Sequence, residues 1–86
     1  MSKRGMLDQY AEIKAQHPDT VLFFRMGDFY EMFHEDAVLA SEVLGITLTS
    51  RDKKSDDPVP MAGVPWHSVE AYLQGMLRAG NKVTFC

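Results

Sequence analysis

Phe29 and Glu31 stand two residues apart in the run Phe29-Tyr30-Glu31-Met32-Phe33. Alternate side chains of an extended strand point to opposite faces, so Phe29, Glu31 and Phe33 share one face and Tyr30 and Met32 the other. Tyr30 and Met32 make an expected core face. Glu31 then belongs on the accessible face, because an unpaired buried carboxylate is costly. An exposed ring two residues from a carboxylate can grip a planar ligand, the ring stacking and the acid reading an edge. The plainer alternative is a Phe29 that caps a satellite cluster beside a solvated Glu31. Asp28, Glu31, Glu35 and Asp36 also form an acidic cluster. Converging carboxylates hold Mg²⁺ in nucleases, with Asp28, Glu31 and Asp36 as the ligands such a reading would use. Glu35 and Asp36 are equally explained as the acidic first turn of a helix. His17, His34 and His67 lack ligand spacing. Arg51, Lys53 and Lys54 lie beside Asp52, Asp56 and Asp57. That stretch either touches phosphates through its basic half or is a solvated charge run. Gly63, in Met61-Ala62-Gly63 between two prolines, allows a close backbone approach or makes a bend. Trp66 reads as core or as a lid on a helix.

The elements that must position these residues follow from pattern. Met6, Tyr10 and Ile13, with Leu7 alongside, predict a first helix from Met6 to His17, stopped by Pro18. Val21 to Met26 is a β-branched and aromatic run, and a second apolar run, Phe29 to Phe33, follows after only Gly27-Asp28, which predicts a β-hairpin. The Gly-Asp order is a weaker turn signal than the usual Asp-Gly. His34 to Leu44 predicts a second helix, capped by Gly45. Ile46-Thr47-Leu48-Thr49 alternates as a strand, Arg51 to Pro58 is a charged loop, and Val59 to Val64 is a short strand ended by Pro65. Val69, Tyr72, Leu73, Met76 and Leu77 mark a third helix, closed by Gly80-Asn81, and Lys82 to Cys86 is a final strand. The order α-β-β-α-β-β-α-β predicts an α/β (α+β) domain: a small mixed sheet containing a hairpin, flanked by about three helices.

Composition sets the outer bounds. The 86 residues, 45% hydrophobic and 24% charged, suit one small globular domain spanning residues 1–86. A single cysteine, Cys86, leaves no internal disulfide and points to a reducing compartment. No apolar run approaches the roughly 18 residues of a membrane helix, so the expected location is cytoplasmic. A net charge of −3 argues against a free-standing, non-specific nucleic-acid binder. The absence of a G-x-x-x-x-G-K-[ST] loop excludes P-loop ATPase chemistry. A final strand with no tail after it fits a piece of a longer protein.

The stretch Phe24-Arg25-Met26-Gly27-Asp28-Phe29-Tyr30-Glu31-Met32-Phe33 resembles the N-terminal mismatch-recognition domain of the MutS family of DNA mismatch-repair proteins. A second signature, Pro60-Met61-Ala62-Gly63-Val64-Pro65, lies at the family's distance from it. Leu44 to Thr49 and the closing Lys82-Val83-Thr84-Phe85-Cys86 fit the pattern too. The resemblance implies a reader of mismatched or unpaired bases in double-stranded DNA. Phe29 would be a wedge entering from the minor groove and stacking on the faulty base, with the duplex kinked there. Glu31 would hydrogen-bond that base, and Tyr30 would pack inward. Arg51, Lys53 and Lys54 would be candidates for contacts to the DNA backbone. An ionised carboxylate only accepts hydrogen bonds, and many purine edge atoms are acceptors too. Glu31 is therefore expected to take up a proton, its pKa raised by the phosphate field. The resemblance further implies no catalysis and no cofactor or metal in this chain. ATP and Mg²⁺ belong to a separate ATPase domain of the full-length family, which dimerises through domains this chain does not include. On DNA such a protein would associate with the nucleoid. A Mg²⁺-dependent nuclease and a protein-interaction module built on the Phe29 face are the readings from other classes.

Overall fold

The computed structural model describes residues 5–51 and 58–86. Helix α1 spans Met6–Gln16, strands β1 and β2 span Val21–Met26 and Phe29–Phe33, and helix α2 spans His34–Leu44. Strands β3 and β4 follow at Thr49–Arg51 and Val59–Pro65, then a single 3₁₀ turn at Trp66–Ser68, helix α3 at Val69–Arg78 and strand β5 at Val83–Phe85. The predicted order of elements is the observed one, and the fold is the expected small α+β domain. The five strands form one mixed sheet in the order β3-β4-β2-β1-β5, with β5 parallel to β1 and every other pairing antiparallel.

Both faces of this sheet are covered, which departs from the expectation of one core face and one open face. On one side α2 and α3 close over Val21, Phe23, Met32, Ala62 and Val64, with Ala37, Ala40 and Met76 supplied by the helices. On the other, α1 lays Tyr10 over Leu22, Phe24 and Phe33. The Tyr10 ring meets Phe33 edge-on at 5.1 Å and Phe24 edge-on at 6.0 Å. This second core is why four successive residues of β1, Val21 to Phe24, are all buried. Phe33, expected to share an accessible face with Phe29, is 0% exposed for the same reason.

Turn and cap chemistry fixes the ends. Only the first central residue of the β1–β2 turn has positive φ, Gly27 at 61°. That is the pattern of a II′ turn, in which glycine comes first, so Gly-Asp is the right order here rather than a weak one. Gly80, at φ 87°, closes α3: its N–H reaches the Leu77 carbonyl at 3.0 Å and the Asn81 N–H reaches the Met76 carbonyl at 3.0 Å, the paired bonds of a Schellman cap. Strand boundaries move from their expected places, β5 being trimmed by one residue at each end to Val83–Phe85. Residues 46–48 carry no strand, and β3 begins at Thr49, where pairing with Met61 of β4 starts. Pro65 ends β4 from inside it, opposite Phe29.

Candidate nucleic-acid interface

Strand β2 is the middle strand of the sheet and carries a gradient of burial along one face. Phe33 is sealed beneath α1, Glu31 is half-buried, and Phe29 is 45% exposed beside the hairpin turn. Helix α1 covers the lower end of that face and leaves the upper end free. The sequence pattern placed these three residues on one face correctly. It could not show where the covering helix stops.

Register sets what surrounds Glu31. It pairs with Phe24 on β1 and with Gly63 on β4. Its carboxylate lies directly over Gly63: a Cβ built at position 63 would meet Glu31 Oε1 at 2.6 Å, Cδ at 2.9 Å and Oε2 at 3.0 Å. The close approach anticipated at Gly63 is thus made by the Glu31 side chain. Burial disfavours the charged form and raises the Glu31 pKa above its ordinary value, while the positive charge of Arg51 partly offsets the rise. Arg51 is exposed on the edge strand β3, opposite Val59. Lys53 and Lys54, with Asp52, Asp56 and Asp57, lie outside the described residues.

The turn that carries Phe29 is held from the opposite face. Arg25 donates from Nε to the Gly27 carbonyl at 2.5 Å, and its guanidinium lies 4.7 Å from the Trp66 ring centroid and 5.8 Å from that of Tyr30. The Trp66 N–H donates to the Asp28 carbonyl at 2.8 Å. Of the two sequence readings of Trp66, core or a lid on a helix, the first fails: Trp66 is a 44% exposed plate on which Arg25 stacks. The role of Arg25 had no sequence signal, because it depends on the 3₁₀ turn returning to the hairpin.

Asp36 does not join Asp28 and Glu31. It is 8% exposed and accepts hydrogen bonds from the Tyr10 hydroxyl at 2.9 Å, the Leu22 N–H at 3.0 Å and Lys14 Nζ at 3.0 Å. It is the polar hub linking α1, β1 and α2. The Tyr10 hydroxyl, buried and facing that carboxylate, has its pKa pushed well above the ordinary range. Among the described residues no three His, Cys, Asp or Glu side chains converge to hold a metal ion. The nuclease reading thus loses Asp36, whose carboxylate is taken up by Tyr10, Leu22 and Lys14. Nor is any helix among them long and apolar enough to cross a membrane.

The model of the family MutS domain I matches residues 4–86. The chain belongs to the MutS domain I family. Among curated relatives it is 57% identical over 81 residues to the DNA mismatch repair protein MutS of Staphylococcus saprophyticus, and 60% identical over 81 residues to that of Desulfatibacillum aliphaticivorans. Each match covers 94% of this chain and 9% of the relative. The chain thus spans about a tenth of the length of these MutS proteins. Within this MutS domain I, the half-buried carboxylate and the exposed ring occupy one face of the central strand, and the second signature, Pro60 to Pro65, is the neighbouring strand on which that carboxylate rests.

Proposed function

We propose that this domain reads mismatched or unpaired bases in double-stranded DNA, as the non-catalytic recognition part, residues 1–86, of a longer mismatch-repair protein. The observation that carries the reading is the exposed Phe29 ring at the free end of a strand whose other end is anchored in the core. Phe29 is the wedge. Inserting an apolar ring between base steps costs a few kcal/mol of unstacking, offset by contacts that the bent duplex allows. A mispair is already poorly stacked and paired, so its deformation costs less. Discrimination then comes from deformability, which suits the recognition of many different errors.

Glu31 reads the edge of the displaced base. Its raised pKa supports a protonated carboxyl that donates to a ring nitrogen, and the phosphates of a bound duplex would push the same way as burial does. Arg51, with Lys53 and Lys54, would contact the sugar-phosphate backbone. Because the domain carries a net charge of −3, most of the affinity must come from elsewhere in the longer protein. ATP, Mg²⁺ and dimerisation would likewise belong to those other parts, acting in the cytoplasm on nucleoid DNA.

The test uses a full-length MutS protein carrying this chain as its domain I. A 2-aminopurine placed beside a mismatch brightens when it is unstacked. The parent should brighten it and bind mismatched duplex more tightly than matched duplex, and Phe29→Ala should lose both effects. Retention of both by Phe29→Ala would remove the wedge assignment.

A further inference from the structure

We infer that Gly63 is a positioning residue for Glu31, a seat without a side chain that holds the carboxylate over β4 in the place from which it reads a base. The inference rests on the reading of Glu31 given above and adds a second residue to that site. A glycine inside a strand weakens it, since it brings no side chain to pack and costs more backbone entropy than alanine. The glycines with positive φ are Gly27, Gly45 and Gly80, so position 63 has no need of glycine's conformational freedom. Space is the remaining reason. The three nearest atoms to a Cβ at this position, within 3.0 Å, all belong to the Glu31 carboxyl group.

The nature of those atoms separates a seat from a packing constraint. The carboxyl group is the far end of a flexible side chain, so a methyl group at position 63 can push it aside without moving backbone. Gly63→Ala should therefore leave the fold nearly intact while evicting the carboxylate. A structural glycine behaves the other way, losing stability and leaving distant ionisation alone. Once evicted, Glu31 enters solvent and loses the burial that now raises its pKa. Among the described residues Arg51 acts on Glu31 from the edge strand β3, across β4, and its attraction also favours the ionised form.

The experiment has two arms. In the 86-residue chain, the Glu31 side-chain carbon resonance is followed against pH for the parent and for Gly63→Ala. The titration midpoint should fall toward that of an unperturbed glutamate, with Tm staying within about 4 °C of the parent. An unmoved midpoint overturns the seat. If Gly63→Ala unfolds, the pair Gly63→Ala with Glu31→Ala removes the crowding and should refold; a double variant that also fails to fold makes Gly63 structural and overturns the proposal. In a full-length MutS protein carrying this chain, Gly63→Ala should cut the preference for mismatched over matched duplex as far as Glu31→Ala does, by about tenfold. Combining the two should cut it no further. If the midpoint falls but the preference is unchanged, the seat stands while the base-reading role of Glu31, and with it the functional half of the proposal, is refuted.

Discussion

Phe29 and Phe33 lie on one face of one strand, four residues apart, and truncating each to alanine should have opposite consequences. Phe33 is 0% exposed and packs against Tyr10, Leu22 and Phe24. Emptying such a site costs about 3–5 kcal/mol. Full burial of a phenylalanine side chain is worth about 1.5–3 kcal/mol, so Phe29, with 45% of its surface still exposed, has about 1 kcal/mol to lose. A domain of 86 residues, at ~0.05–0.15 kcal/mol per residue, has a total stability of about 4–13 kcal/mol. Phe33→Ala therefore removes a large part of it, whereas Phe29→Ala lowers Tm by about 4–8 °C. Urea titration of the isolated chain, read by far-UV circular dichroism, measures both, and Phe33→Leu supplies a milder core variant that stays folded. The slope against urea should not change for Phe29→Ala, since no core surface is rearranged. A Phe29→Ala loss as large as that of Phe33→Ala would mean that the ring is structural and not free to leave the protein for a ligand.

Substitutions at four further positions probe the remaining polar groups. Glu31 has a raised pKa when folded, so the folded state binds more protons than the unfolded one between the two pKa values, and stability falls as pH rises through that window. Glu31→Gln should consequently raise Tm at neutral pH, with the gain vanishing once pH is below the ordinary glutamate range. A Tm-against-pH series checks both limits. Asp36→Ala leaves the Leu22 N–H without its carboxylate acceptor and the Tyr10 hydroxyl and Lys14 ammonium with only the Phe33 and Thr20 carbonyls, and should cost about 3–5 kcal/mol in chemical denaturation. Tyr10→Phe, which removes one hydrogen bond to a charged group, should cost about 1.5–3 kcal/mol by the same assay. Arg25→Ala removes a stack worth about 0.5–2 kcal/mol and the bond to the Gly27 carbonyl. It should speed amide hydrogen exchange at residues 27–29 more than elsewhere in the sheet, and Arg25→Lys should restore only part of the protection.

Local chemistry was legible in the sequence, and cross-strand chemistry was not. Helix α2 falls at His34–Leu44 as its pattern implied, because an acidic first turn and a terminal glycine are signals carried within the segment. The hairpin was equally plain from its two apolar, aromatic-rich runs around Gly27-Asp28. Strand β3 was misplaced because Ile46 and Leu48 alternate like a strand, yet pairing with β4 begins only at Thr49. Asp36 looked like an ordinary helix-dipole charge. Its burial depends on Tyr10 and Lys14, one turn apart on α1 and 26 and 22 residues away in the chain. The same limit applies to Glu31 and Gly63. Each was singled out, but they become one feature only when β2 and β4 pair in register.

The position of β2 would meet a mechanical requirement of the wedge proposed for Phe29. A ring that pries apart base steps is pushed back with a free energy of a few kcal/mol, and a side chain on an isolated loop would yield before the duplex did. Phe29 does not stand on such a loop. Its strand is hydrogen-bonded on both sides, by β1 through Phe24, Arg25 and Met26 and by β4 through residues 61–65. Arg25 and Trp66 brace the turn in front of it, and Phe33 is locked under Tyr10 behind it. Displacing the strand end that carries the ring would mean breaking those pairings or extracting Phe33 from the core, and the latter alone costs about 3–5 kcal/mol, as much as the unstacking itself. The mount is therefore at least as stiff as the load. Glu31, one strand repeat behind the ring, is carried by the same frame, which would bring its carboxyl to the same place at each proposed encounter with a base.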